Sequence, residues 1–77
     1  MREINSKTLD LINTDDVDKI EIRTIGLLDV FGKMEIDIFY KNDTIEKLVA
    51  YSPVDTNLIS NWLEKDNLYE KAKMYKF

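Results

Sequence analysis

The chain contains no cysteine and no histidine. Without cysteine it has no disulfide and no thiolate metal site. Without histidine it has no imidazole to shuttle protons or to bind zinc, and most pairs of a nucleophile with a base are excluded as well. The acid–base chemistry that remains depends on carboxylates and lysines. We therefore predict no catalytic residue, no metal ligand and no enzyme activity.

Glycine and proline are also scarce, since the chain has two glycines and one proline. A phosphate-binding loop needs several closely spaced glycines, so we predict no nucleotide and no other cofactor. Apolar runs are short: no window approaches the roughly 18 apolar residues of a membrane span, and the first residues lack the apolar stretch of a signal peptide. We expect a cytoplasmic protein that does not bind membranes.

What is present is an acidic chain of 77 residues with a hydrophobic content of 44%. This length and composition predict a single packed domain over residues 1–77. Fifteen acidic and eleven basic residues give a net charge of −4. Binding to phosphate backbones needs clustered lysine and arginine. The charge therefore favours a basic protein partner and disfavours direct binding to nucleic acid.

Alternation of apolar and polar residues predicts three strands, at about 19–28, 33–41 and 44–51. The pattern is clearest in the second strand, where Met34, Ile36 and Ile38 share one face. Asn42 and Asp43 suit the two central positions of a tight hairpin turn, because both tolerate a positive φ. At the end of the first strand, Ile25 and Leu27 fall on the opposite face from Ile20 and Ile22. Either a bulge near Gly26 or burial of the strand end on both faces would explain this change.

Helical spacing and capping residues predict helices around this meander. The first spans about 6–14 with Ser6 as N-cap, and the second starts after Ser52 with Pro53 at its first position. A capping box from Asn67 to Glu70 predicts a further helix, and whether that helix is separate from 53–64 stays open. The predicted fold class is α+β in the order α-β-β-β-α-α. It is a three-stranded antiparallel meander packed on one face by the N-terminal helix and one or two C-terminal helices.

The sheet face without helices is expected to carry Glu21, Glu35 and Asp37, with Phe39 on the same parity. Two carboxylates on one face can in principle do acid–base chemistry, but a flat sheet face lacks the cleft that desolvates one of them, so a solvated polar face is the simpler interpretation. The segment 25–34, IGLLDVFGKM, adds more apolar residues than can all turn inward at a hairpin. Whether the hairpin exposes its tip or folds back to bury it stays open.

An apolar anchor with a rim of carboxylates is typical of a protein-binding patch. The acidic run NTDDVDK contributes further carboxylates to this rim. As a calcium loop that run fails, because an EF-hand needs a glycine at its sixth position and a glutamate at its twelfth, which here are Asp18 and Thr24. The predicted partner-binding residues are Asp15, Asp16, Asp18, Glu21, Leu28, Phe31, Glu35, Asp37 and Phe39.

In size, acidity, lack of cysteine and histidine, and predicted element order, the whole chain resembles the small inhibitor proteins that phages encode, anti-CRISPR proteins in particular. The resemblance implies an inhibitor from a phage or other mobile element that binds a basic, nucleic-acid-handling protein and blocks it stoichiometrically. It also implies that the acids at 15, 16, 18, 21, 35 and 37 stand in for phosphates. The alternative is a self-associating structural or accessory subunit that pairs through its first or third strand, so both a monomer and a homodimer remain open.

Overall fold

A five-stranded mixed β-sheet organises the part of the chain that the computed structural model describes, residues 2–26 and 32–76, the last by its backbone only. The strands lie in the order β1-β4-β3-β2-β5. The pairs β2·β3 and β3·β4 are antiparallel, whereas β1·β4 and β2·β5 are parallel. The strands are β1 (Arg2–Glu3), β2 (Val17–Ile25), β3 (Lys33–Tyr40), β4 (Ile45–Ala50) and β5 (Ala72–Lys76).

The predicted fold of a three-stranded antiparallel meander in the order α-β-β-β-α-α is therefore wrong. The meander is present, but only as the middle of the sheet, because β1 pairs with β4 and β5 pairs with β2. Both added strands are parallel to partners far away in the chain, and such pairs are connected by crossovers that no local pattern shows. The first and third strands of the meander, which were predicted to offer free edges, each have a neighbour on both sides.

The first helix, α1 (Ser6–Asp10), is shorter than predicted. Its N-cap is Asn5 and not Ser6, since the backbone N–H of Thr8 donates to Asn5 Oδ1 at 2.9 Å. Asn13 then accepts from the backbone N–H of Asp15 and starts a separate 3-10 turn over Thr14–Asp16. Because asparagine side chains compete for backbone N–H groups in this way, they divide the predicted helix 6–14 into two short turns.

The second helix, α2 (Pro53–Lys65), begins where the sequence predicts. Ser52 Oγ accepts from the backbone N–H of Asp55 at 3.3 Å, and Pro53 occupies the first turn. The helix ends in a left-handed residue, Asn67, at φ 54°, and the N–H of Leu68 donates to the carbonyl of Leu63 at 2.8 Å. This is a C-terminal cap. The predicted helix after Asn67 is absent; a 3-10 turn over Tyr69–Lys71 leads into β5.

One face of the sheet carries the hydrophobic core, and both helices contribute to it. Because side chains alternate along a strand, the inward positions of β2, β3 and β4 form a continuous apolar layer. The buried core residues include Ile20, Ile22, Ile36, Ile38 and Leu48 of the sheet, and Leu9, Ile59, Trp62 and Leu63 of the helices. The opposite face, which we call the open sheet face, carries the remaining strand positions.

Two irregularities set the register of the meander. The N–H of Tyr40 donates to the carbonyl of Thr44, so the hairpin loop between this closing pair has three residues and not two, and Asp43 takes a φ of 68°. The pairing of β2 with β3 shifts between Val17 and Lys19 and is then regular as far as Ile25 opposite Lys33. In the described pairing the bulge is therefore at Asp18, and Gly26, with a φ of 71°, follows the end of β2.

Candidate functional site

The predicted partner-binding residues fall on different parts of the molecule. Glu21, Glu35, Asp37 and Phe39 occupy the open sheet face. The three acids Asp15, Asp16 and Asp18 lie at the turn before β2 and at its bulge, and all three are exposed. Leu28 and Phe31 lie outside the described residues.

Two carboxylates of the open sheet face, those of Glu35 and Asp37, are paired with cations. Arg23 Nη1 lies 3.0 Å from Asp37 Oδ2, and Arg23 Nε lies 3.7 Å from Glu35 Oε1. Lys47 approaches Asp37 Oδ2 at 3.6 Å, and Lys33 approaches Glu35 Oε2 at 3.7 Å. The Asp37 side chain is only 8% exposed, and its hydrogen bond is the main reason why the pKa of Arg23 is raised. These pairs neutralise two of the predicted phosphate-like acids.

The open sheet face has no excess of acid. Five basic and four acidic residues share its strand positions in the described part of the chain: Lys19, Arg23, Lys33, Lys47 and Lys73, and Glu3, Glu21, Glu35 and Asp37. Phe39 is half-buried, and the ammonium group of Lys19 lies 4.5 Å from the centre of its ring. A lysine over an aromatic ring is an attractive cation–π contact. This face therefore presents cross-strand ion pairs and a covered ring.

A groove of about 630 Å³ lies at the other side of the sheet, between β1, α1 and the β3–β4 hairpin. Its walls are the end of α1 with the turn that follows, and the hairpin loop with the start of β4. The lining residues are Arg2, Thr8, Leu11, Ile12, Asn13, Asp16, Tyr40, Lys41, Asn42, Thr44 and Glu46.

Backbone hydrogen bonds hold the two walls together. The N–H of Lys41 donates to the carbonyl of Asp16 at 2.8 Å, which ties the hairpin to the 3-10 turn. In the hairpin loop, Asn42 Oδ1 accepts from both the backbone N–H and the hydroxyl group of Thr44, at 3.2 and 2.6 Å. Since asparagine side chains order both loops, the groove has a defined shape despite being made of connections.

The floor of the groove is polar. Arg2 forms an ion pair with Glu46, and the hydroxyl group of Tyr40 donates to Glu46 Oε2 at 3.4 Å. Burial raises the pKa of Tyr40, and the negative charge of Glu46 raises it further. The phenol is therefore neutral at ordinary pH and acts as a hydrogen-bond donor to the carboxylate.

The rim of the groove combines an apolar side chain with excess negative charge. Leu11 is 85% exposed, the highest value among the large apolar residues that the structure describes, and Ile12 beside it is half-buried. We define the groove end of the molecule as Arg2 with residues 6–18 and 41–46. It holds three basic and six acidic residues, so most of the net charge of the protein is at this end.

Asp15, Asp16 and Asp18 were predicted as partner-binding residues, but the apolar side chains beside them were not. The adjacent Leu11 and Ile12 held a signal, because in the predicted helix over 6–14 Ile12 shares a face with Leu9 and Leu11 does not. Arg2 had no such signal, since it meets Glu46 only through the parallel pairing of β1 with β4. Tyr40 and Glu46 meet across the β3–β4 hairpin, six residues apart in the chain.

Within residues 2–26 and 32–76, there is no group of three or more acidic side chains placed to hold a metal ion, and no helix is long and apolar enough to cross a membrane. Comparison of the chain with protein-family models, with curated proteins and with solved structures finds no match.

Proposed function

We propose that the protein is a non-catalytic binding module that takes up a basic segment of a partner protein at the groove end. The observation that carries the proposal is the exposed Leu11 at the rim of a groove within an end of the molecule whose net charge is negative. Apolar anchors surrounded by charged residues are typical of protein-binding surfaces. The open sheet face is a poorer candidate, because Glu35 and Asp37 are already paired with cations and the face has no excess of acid.

The anchor and the acids have separate roles in this proposal. Leu11 and Ile12 contact the aliphatic part of an arginine or lysine, or a neighbouring apolar residue of the partner. Asp15 and Asp16 attract the cationic groups, and Glu46 is held in place by Arg2 and Tyr40. Electrostatic attraction accelerates association, whereas the buried apolar contact slows dissociation.

The partner class that fits this chemistry is a basic, nucleic-acid-handling protein, blocked by one copy of this chain per binding site. An acidic domain placed on a cationic surface competes there with the phosphates of nucleic acid. Of the acids predicted to act in this way, the proposal keeps those at 15, 16 and 18. Glu21, Glu35 and Asp37 are not part of it.

The probe for this proposal is a synthetic peptide of alternating arginine and leucine, with a peptide in which glutamate replaces arginine as its control. Titration into the isotope-labelled protein should shift the backbone amide resonances of residues 8–16 and 40–46. The acidic peptide should shift none of them. Shifts confined to the open sheet face around Arg23 and Phe39, or no shifts with the basic peptide, would overturn the proposal.

Two pairs of variants separate the anchor from the charge. Leu11→Ala should speed dissociation about tenfold, equivalent to about 1.4 kcal/mol, whereas Val54→Ala, at another exposed apolar position, should not. Asp15→Lys/Asp16→Lys should slow association in a way that salt reduces. Its control is Glu64→Lys/Asp66→Lys, which makes the same change of charge at exposed positions of α2 and beside it. Equal effects of a variant and its control would mean that binding is unspecific.

A partner can then be sought by comparative capture from cell extract. A true partner should be retained by the parent chain and by the Glu64→Lys/Asp66→Lys variant, and lost with Leu11→Ala or Asp15→Lys/Asp16→Lys. Added in equimolar amount, the parent chain should lower the affinity of that partner for nucleic acid. An interaction that survives all variants would not involve the groove.

A further inference from the structure

The outer edge of β5 is a second surface that the fold leaves without a covering element in the described part of the chain. β5 is the last strand in the order β1-β4-β3-β2-β5 and pairs with β2 on its inner side. Its Met74 is 63% exposed and its Tyr75 is 40% exposed. Edge strands with unpaired backbone groups and apolar side chains are templates for another strand.

Met74 is the exposed end of a row of apolar side chains that is otherwise buried. Met74 lies opposite Ile22 on the helix-bearing face, in a row that runs through Ile36 to Leu48. The other three members of this row are buried, and Met74 is not. The apolar layer of the core therefore continues to the edge of the sheet and stops there in contact with solvent.

We propose that a second copy of this chain pairs with β5 in antiparallel orientation, with a two-fold axis at Met74. The inference is independent of the proposed function. Because the axis is perpendicular to the sheet, the open faces of the two copies lie on the same side. The two sheets then form one sheet of ten strands, and both helix layers cover its other face.

The register centred on Met74 suits the side chains on both faces. On the helix-bearing face, Met74 meets Met74 of the second copy and joins the two apolar rows. On the open sheet face, Lys73 lies opposite Tyr75 of the second copy, whose own neighbour in the row is Arg23. Each tyrosine therefore lies between two cations, an attractive arrangement for an aromatic ring.

The other registers that keep the faces aligned are less favourable. Centring on Lys73 places that lysine opposite itself, and like charges directly across a sheet repel. Centring on Tyr75 moves Met74 opposite a lysine position and breaks the apolar row. The Met74 register also pairs all five residues of each strand, and it leaves no lysine position opposite another.

Cysteine substitution tests the register, since the natural chain has no cysteine. Opposite residues in an antiparallel pair have Cα atoms about 5 Å apart, within disulfide range, whereas residues displaced by two positions exceed the limit of about 7 Å. Under mild oxidation, Met74→Cys should form a disulfide-linked dimer, and Lys73→Cys and Tyr75→Cys should not. A dimer with Tyr75→Cys or Lys73→Cys and none with Met74→Cys would overturn the register.

A charge at the axis tests the association itself. By light scattering at high protein concentration, the parent chain should have the mass of a dimer, and Met74→Lys should shift it to the mass of one chain. Val54→Lys, the same change at an exposed position of α2, should leave the dimer intact. Far-ultraviolet circular dichroism should be the same for all three proteins. A parent chain that stays monomeric, or a Met74→Lys variant that stays dimeric, would overturn the proposal.

Discussion

Replacing Arg23 with methionine tests how the open sheet face is held together. Arg23 is the cation nearest to Asp37, at 3.0 Å, and its side chain is 24% exposed. Lys47 is the second cation, at 3.6 Å, and its side chain is 55% exposed. Methionine replaces the apolar stem of the arginine but removes its charge. The change therefore leaves the carboxylate of Asp37, which is 8% exposed, with Lys47 as its remaining partner at 3.6 Å.

The expected magnitude follows from the two geometries. Removing one partner of a fully buried ion pair destabilises a protein by about 3–5 kcal/mol. Because Arg23 is partly exposed and Lys47 remains, we expect a smaller loss of about 2–3 kcal/mol for Arg23→Met. Lys47→Met removes an exposed charge and should destabilise by no more than about 1 kcal/mol. The first loss should persist in high salt, and the second should shrink.

Urea denaturation followed by the fluorescence of Trp62, the single tryptophan, measures these differences. For a slope of about 1 kcal/mol per molar urea, Arg23→Met should move the midpoint down by about 2–3 M. The double variant Arg23→Met/Asp37→Leu removes both charges and should recover much of the loss. If Arg23→Met and Lys47→Met are equally stable, or if the double variant is as unstable as the single one, Asp37 is not held mainly by Arg23.

Three further predictions concern the core, the groove and the acidic turn. Trp62→Ala should lower the free energy of unfolding by about 3–5 kcal/mol because the ring is buried. Trp62→Phe should lower it less, because phenylalanine fills more of the space, and equal losses for the two variants would contradict this reasoning. Because the pKa of Tyr40 is raised in the folded protein, its contribution to the free energy of unfolding should be full below pH 10 and should decline as pH rises through the folded pKa. In a series of urea denaturations at increasing pH, Tyr40→Phe should lack this part of the decline. The melting temperature should be the same with chelator and with calcium, and a rise of several degrees with calcium would reveal a site at 15–18.

The elements that could be predicted from the sequence are those specified by neighbouring residues. Ser52, Pro53 and Asp55 define the start of α2 through local hydrogen bonds and a fixed φ, so their pattern is nearly sufficient. The strand 33–40 alternates regularly, and its parity correctly separates Ile36 and Ile38 from Glu35 and Asp37. Local chemistry decided these cases.

The segment after α2 shows where local chemistry is ambiguous. Asn67 followed by Glu70 fits an N-terminal capping box, but asparagine is also one of the residues that adopt a positive φ at the end of a helix. In the structure it does the latter, and Leu68 packs into the core as part of that cap. Ala72 and Met74 then alternate with Lys73 and Tyr75, which is the period of a strand, although Leu68, Ala72 and Tyr75 also lie at helical spacing. The pairing with β2, about 50 residues earlier in the chain, decides between the two patterns.

The surroundings of Glu35 and Asp37 depend even more on strand pairings between residues that are distant in sequence. The parity of β3 predicts that Glu35 and Asp37 share a face, but only the register with β2 brings Arg23 to both of them. This changes the interpretation of these acids from a binding surface to a part of the sheet. A Glu35→Lys/Asp37→Lys variant would therefore disturb the fold as well as any interface. The acids at 15–18 are exposed, so substitutions there can report on binding alone.

The groove lies between β1, α1 and the β3–β4 hairpin, whereas the proposed dimer contact is at β5, the strand at the other edge of the sheet from β1. A dimer through β5 would therefore present two grooves, one in each copy. The arginine–leucine peptide binds one groove, so Met74→Lys should leave its affinity unchanged. On a surface densely coated with the same peptide, the dimer can bind two peptide molecules at once. When one groove releases its peptide, the other groove still holds the dimer at the surface, so rebinding is fast and dissociation is slow. We expect Met74→Lys to abolish that slow dissociation and Val54→Lys to keep it. Equal dissociation of the two variants from the dense surface would mean that one dimer cannot use both grooves at once.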